Sequence, residues 1–162
     1  MGRSADYSKQ KCALAGALDI VGEPWTLLIL RDSFRGITRF EQWQESLGLA
    51  RNVLASRLKS LVRDGVLETR VYCERPRRHE YVLTQKGYDL RPALLHLMDW
   101  GIKHVYGEES PDAELIHSCG HRVAPQTHCA HCSGELLPYD ITLRRIPEAR
   151  AVGELRLVAE AL

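Results

Sequence analysis

Between Ala50 and Gly87 the chain reads ARNVLASRLKSLVRDGVLETRVYCERPRRHEYVLTQKG. Arg51, Asn52, Ser56, Arg57, Lys59 and Arg63 recur at short intervals there, and Arg75, Arg77 and Arg78 crowd around Pro76. A guanidinium presents N–H donors in a fixed fork that matches a phosphate or the acceptor edge of guanine, and a carboxamide matches adenine. These residues make a polyanion-reading surface only if the fold displays them together. Otherwise they are a solvated face.

A second constellation lies in HSCGHRVAPQTHCAHC, where Cys119, His121, Cys129 and Cys132 supply soft ligands and the last two form a Cys-x2-Cys pair. Four N or S ligands suit tetrahedral zinc, and a closed set would staple a segment too short to hold its own core. A zinc ribbon usually brings two Cys-x2-Cys knuckles, whereas the first here is Cys-x-His, and His117 competes with His121 for the role. Three readings stay open: structural zinc, a disulfide within or between chains, and inert thiols. Cys12, at the start of an apolar helical pattern, stands where a helix dipole lowers a thiol pKa, or packs as a small apolar residue. Cys73, on a strand pattern, reads as structural.

The chain has 162 residues, 44% hydrophobic and 27% charged, enough for one globular domain with a small appendix. Its net charge of +1 conceals an asymmetry. Residues 1–105 hold 17 Lys and Arg against 12 Asp and Glu, net +5, and residues 106–162 hold 5 against 9, net −4. The basic part suits a polyanion; the acidic part does not. No apolar run approaches the roughly 20 residues of a membrane span, and MGRSADYSKQK has no signal-peptide core, so a cytoplasmic location is expected. Asp6 stands where a myristoylation signal needs Ser or Thr.

The elements that would position the cations follow from periodicity. In CALAGALDIV, Leu14, Ala17, Leu18 and Val21 share one helical face. Pro24 opens a second helix, rich in leucine, that ends before Gly36. Thr38 and Glu41 have capping-box spacing for a short helix over 39–47, with Phe40, Trp43 and Leu47 on its apolar side and Gly48 after it. Over 50–63, Leu54, Ala55, Leu58, Leu61 and Val62 share one arc, opposite Asn52, Ser56, Lys59, Ser60 and Arg63, with Arg57 on the flank and Arg51 in the first turn. Gly65 suits a left-handed cap. VLETRVYC and HEYVLT read as strands around the ERPRR turn.

Thr84 then caps a helix running to about Tyr106, which Pro92 should kink or divide. Its apolar residues fall on two stripes, Leu90, Leu94, Leu97, Met98, Gly101 and Val105 on one, Tyr88, Leu95, Ile102 and Tyr106 on the other. One stripe suits the chain's own core, the second another copy of the chain. The expected fold is therefore mainly α with a small β-hairpin wing (α+β), a winged helix-turn-helix over residues 1–106, with an acidic Cys/His-containing extension over 107–162. In such a fold the third helix enters the major groove.

ALDIVGEPWTLLILRD, RFEQW, LASRLKSLVRDGVL, YVLTQKG and LRPALLHLMDWG, together with Cys12, arrive in an order and spacing that resemble the HxlR-type transcriptional regulators, relatives of the MarR winged-helix proteins, over roughly residues 12–102. The resemblance implies a homodimeric regulator binding double-stranded DNA, with its first and last helices building the dimer. It also makes redox sensing at Cys12 conceivable. This chain departs from many members in having Ala50, without a side-chain acceptor, where a serine caps the recognition helix. Asn52 or a DNA phosphate would then serve the free N–H groups.

On this reading Arg51, Asn52 and Ser56 reach base edges, Arg57, Lys59 and Arg63 reach phosphates, and Arg75, Arg77 and Arg78 reach a minor groove or its backbone. No cofactor is required beyond the candidate zinc, and the effector is not legible. An enzyme is a poor competitor, since the sequence has no phosphate-cradling glycine motif, no His-Glu-x-x-His and no Gly-x-Ser-x-Gly. Thiol exchange at Cys129 and Cys132, or a winged helix used only for protein docking, are the remaining alternatives.

Overall fold

A computed structural model of the chain describes residues 7, 11–106, 115–137, 139–142 and 144. Most of the N-terminal decapeptide and half of the 107–162 extension, including everything past residue 144, lie outside the described residues. The chain divides into two compact units, Met1–Pro125 and Gln126–Leu162.

The first unit contains the expected three helices and wing. Helix α1 (Ala13–Val21) ends at Gly22, whose N–H bonds the Leu18 carbonyl at 2.8 Å. Pro24 starts α2 (Pro24–Phe34), which leaves α1 at 77°. No single helix among the described residues is long and apolar enough to cross a membrane. Helices α3 (Phe40–Leu47) and α4 (Arg51–Arg63) follow, and α4 hands over to the strands β1 (Leu67–Glu74) and β2 (Arg77–Leu83), paired antiparallel from Leu67 opposite Leu83 to Glu74 opposite Arg77.

Why these helices converge is plain from their buried residues. Ile29 and Leu30 of α2, Trp43 of α3, Leu54, Leu58 and Leu61 of α4, and Val66 and Leu67 entering the wing are all essentially inaccessible to solvent. The 3.6-residue period puts Leu54, Leu58 and Leu61 on one side of α4, so the opposite side is solvated. Ala55, expected on that apolar arc, is exposed: the arc is narrower than the sequence implied, and half-buried Val53 packs at its edge instead. Asp32 is buried as well, and its carboxylate accepts from Arg31 Nε and from Ser46 Oγ, each at 2.8 Å, which ties α2 to α3.

The expected cap of α3 is corrected. Thr38 does not cap α3; Arg39 is the N-cap residue, and the Gln42 side-chain oxygen accepts from the Arg39 amide at 3.0 Å and the Thr38 amide at 3.3 Å. Thr38 is occupied elsewhere: its carbonyl accepts from the Tyr81 amide at 2.8 Å and its hydroxyl donates to Glu80 at 3.0 Å, which fastens the loop before α3 to β2.

The long terminal helix is in fact three pieces. Thr84 caps α5 (Gln85–Tyr88), α6 runs Arg91–Gly101, and a wider π-helical turn covers Ile102–Tyr106. Pro92 sits in the first turn of α6, where its missing N–H costs nothing, and the break falls before it. Gly87 lets α5 dock closely: an added Cβ would run into the Val66 carbonyl oxygen and lie 2.8 Å from Leu83 Cδ2. Helix α6 buries Leu94 but leaves Leu97 53% and Trp100 56% exposed; on α1, Leu14 is 68% exposed.

Candidate nucleic-acid interface

Helix α4 begins at Ala50, which caps it with no side-chain bond, so Asn52 does not take that role and the first-turn amides have no side-chain acceptor there. Arg51, Asn52, Ser56 and Lys59 are all exposed on the side away from Leu54 and Leu58. The expected trio for base contacts thus stands in solvent at the positive end of a rigid, leucine-backed helix. Arg51 is not extended freely, however: its guanidinium lies 4.8 Å from the centroid of the Phe40 ring at the start of α3.

Two cations assigned to phosphates are engaged within the chain. Arg57 Nη1 is 3.4 Å from Glu23 Oε1, and only 19% of its side chain is exposed, so it joins α4 to the entrance of α2. Arg63 reaches Asp64 through Nε at 2.8 Å and Nη2 at 2.9 Å, and this hydrogen bonding pushes its pKa up. A phosphate contact by either would displace a carboxylate. Lys59 remains available on the exposed face.

Arg75, Arg77 and Arg78 are exposed around the turn between β1 and β2. The strand register shifts between Val71 and Cys73, leaving Tyr72 as the extra residue of a bulge. That bulge gives Tyr72 a special position, since Arg78 hydrogen-bonds to its side chain, an interaction that raises the guanidinium pKa, and Arg39 lies 4.4 Å above its ring. Arg39 and its aromatic partner Tyr72 escaped sequence reasoning because Tyr72 is 33 positions further along the chain, and only the wing's return brings them together.

The cysteines occupy separate small turns. In the first unit the Ile116–Arg122 bridge closes a turn carrying Cys119 and His121, in which His117 Nδ1 accepts from the Cys119 amide at 3.2 Å. In the second unit the His128–Glu135 bridge closes a turn carrying Cys129 and Cys132. There the amides of Cys132 and His131, followed by the Cys132 side chain, lower the Cys129 pKa by stabilising its thiolate. Among the described residues no group of three or more His, Cys, Asp or Glu side chains that could hold a metal ion is found. Cys12 is exposed at the N-cap of α1, not packed away within the protomer, and Cys73 is half-buried on β1 with its thiol 3.6 Å from the Arg75 carbonyl.

The sequence profile of the HxlR-like helix-turn-helix family matches residues 20–109, a span that contains α2 through α6 and every wing and α4 residue discussed above. The chain belongs to this family. Among its relatives is an uncharacterised HTH-type transcriptional regulator of Mycobacterium tuberculosis, Rv3095, 43% identical over 127 residues that make up 78% of this chain and 80% of that protein.

Of solved structures, PA1607, described as a candidate transcription factor, superposes with a TM-score of 0.77 at 35% identity over 86% of this chain and 99% of its own. That likeness is too long to end at residue 106, so it reaches into the C-terminal extension. The redox regulator HypR in its reduced form matches with a TM-score of 0.53 at 27% identity, over 56% of this chain and 90% of its own. The chain is accordingly an HxlR-like winged-helix protein of the transcriptional-regulator class.

Proposed function

We propose that this HxlR-like protein is a homodimeric, sequence-specific regulator that binds double-stranded DNA at an inverted-repeat operator. The carrying observation is α4, which backs Leu54, Leu58 and Leu61 into the core and offers Arg51, Asn52, Ser56 and Lys59 to solvent beside a cationic wing. Arg51 and Asn52 have the donor patterns for guanine and adenine, each worth roughly 1–3 kcal/mol of discrimination. Homodimerisation is supported by Leu14, Leu97 and Trp100, apolar side chains that two helices leave more than half exposed.

Selection of bound fragments from a random duplex pool tests this reading. Half-sites about one helical turn, or 34 Å, apart are expected. A winged helix used only for protein docking would enrich no sequence and bind random duplex negligibly at low salt.

Changing Arg77 and Arg78 together to alanine should weaken operator and random duplex alike and reduce the slope of log K against log salt by as much as about two. A double variant with wild-type affinity and slope in an anisotropy titration would remove the wing from the interface.

HypR is a redox regulator, and the exposed Cys12 thiol supports an oxidant-responsive role here. Loss of any oxidant-dependent change in DNA affinity is expected in Cys12→Ser; persistence of the full change rules Cys12 out. For Cys119, His121, Cys129 and Cys132, zinc below half an equivalent per chain in untagged protein would exclude a metal role. Failure to turn over a disulfide substrate would exclude thiol exchange at Cys129 and Cys132.

A further inference from the structure

The start of α3 and the wing enclose an open cleft of about 700 Å3 whose walls include Arg39, Phe40, Tyr72, Arg78 and His79. Its cations differ from five other arginines among the described residues. Arg31, Arg35, Arg57, Arg63 and Arg70 each reach a carboxylate at 2.7–3.8 Å. Among the described residues, no carboxylate lies within ion-pair distance of Arg39, Arg51 or Arg78. Aromatic groups hold them instead: Arg39 on the face of Tyr72 at 4.4 Å, Arg51 on Phe40 at 4.8 Å, and Arg78 through the Tyr72 side chain. Glu41 is the one acid on the cleft wall, and its charge acts on Arg78 only as the weakest of several influences.

Rings fix guanidiniums in place without neutralising them. Two like charges gathered around one tyrosine repel each other, and the cost is recovered when an anion sits between them. The first turn of α3 adds to the demand, because a helix N-terminus is positive and Gln42 takes up the Thr38 and Arg39 amides, whereas those of Phe40 and Glu41 have no acceptor among the described residues. The cleft is therefore electrostatically unfinished.

We propose that this cleft seats a phosphate of the DNA backbone, with Arg39 in direct contact and Tyr72 as the platform that positions it. The occupant follows from continuity: Phe40 links the cleft to Arg51 on α4, and Arg78 links it to the hairpin tip, so the seat lies on a cationic track between the two proposed DNA contacts. In helix-turn-helix docking the helix before the recognition helix crosses the backbone, as α3 would here. The inference rests on the DNA-binding reading above and adds a third anchor that is indifferent to base sequence.

The test uses the full chain with fluorescent operator and random duplexes at salt concentrations from about 50 to 200 mM. Arg39→Gln should weaken both duplexes by the same factor, several-fold or more, and lower the salt slope by about one. Arg39→Lys should keep the slope. Tyr72→Leu, which removes the platform and no charge, should weaken binding like Arg39→Gln, and Tyr72→Phe should weaken it less. Circular dichroism confirms that each variant is folded.

If Arg39→Gln binds with wild-type affinity and slope, the seat is wrong and the regulator reading stands. A loss confined to the operator would make Arg39 a base contact and would also overturn it. Benzoate binding that Arg39→Gln abolishes, with DNA titrations unchanged, would assign the cleft to a small anion instead. If the wild-type chain binds no duplex at any salt, both readings fall together.

Discussion

Trp43→Ala should lower the unfolding free energy by about 3–5 kcal/mol, the range for removing a large aromatic side chain from a core. Trp43 has no solvent exposure, donates its indole N–H to the Ile29 carbonyl at 3.3 Å and meets Tyr81 edge-on at 5.9 Å. It therefore supports α2, its own helix and the wing at once. Against a total of about 5–15 kcal/mol for a typical domain, the loss removes about a fifth of the stability or more, and at the lower end of that range it leaves a substantially unfolded population. Trp43→Phe should cost less, because Ile29 O also accepts from Ser33 Oγ at 2.9 Å and is not orphaned. Urea denaturation followed by circular dichroism measures both. A Trp43→Ala midpoint equal to wild type would contradict the packing described.

Leu97→Glu combined with Trp100→Glu should convert the proposed dimer to monomer and reduce operator affinity by about 10²–10⁴-fold, the range that bivalent linkage contributes. Both side chains are more than half exposed on α6, so the exchange leaves the protomer core of Leu54, Leu58 and Trp43 untouched. A carboxylate forced into a closed apolar interface has no partner there, whereas in a free monomer it is solvated at little cost. Sedimentation velocity should give one monomeric species that melts like the parent protein. A double variant that still sediments as a dimer, or that binds the operator unchanged, would place the dimer contact elsewhere.

The leucine spacing of α4, the β-propensity of the wing and the punctuation by Pro24, Gly48 and Gly65 were legible because each is local: the next few residues carry the signal. Pro92 likewise announced a break in the last helix, although its position before Leu90 depended on how α5 docks against Val66. What sequence could not supply were pairings between distant positions. Arg57 looked free until Glu23 was brought beside it, and Thr38 looked like a cap until β2 claimed its carbonyl and hydroxyl. Arg39 is not singled out by the sequence, since its ring partner arrives on another element. The spacing of Cys119, His121, Cys129 and Cys132 marks a candidate zinc segment, but ligand spacing does not dictate how side chains converge.

The double attachment of Thr38 to Tyr81 and Glu80 gives the hairpin a fixed root and a free tip. Leverage applied at the arginine-bearing end is thus delivered to the foot of α3, one turn from Trp43, and not dissipated in a loose loop. A distorted duplex and a relaxed one would load the protein's interior differently.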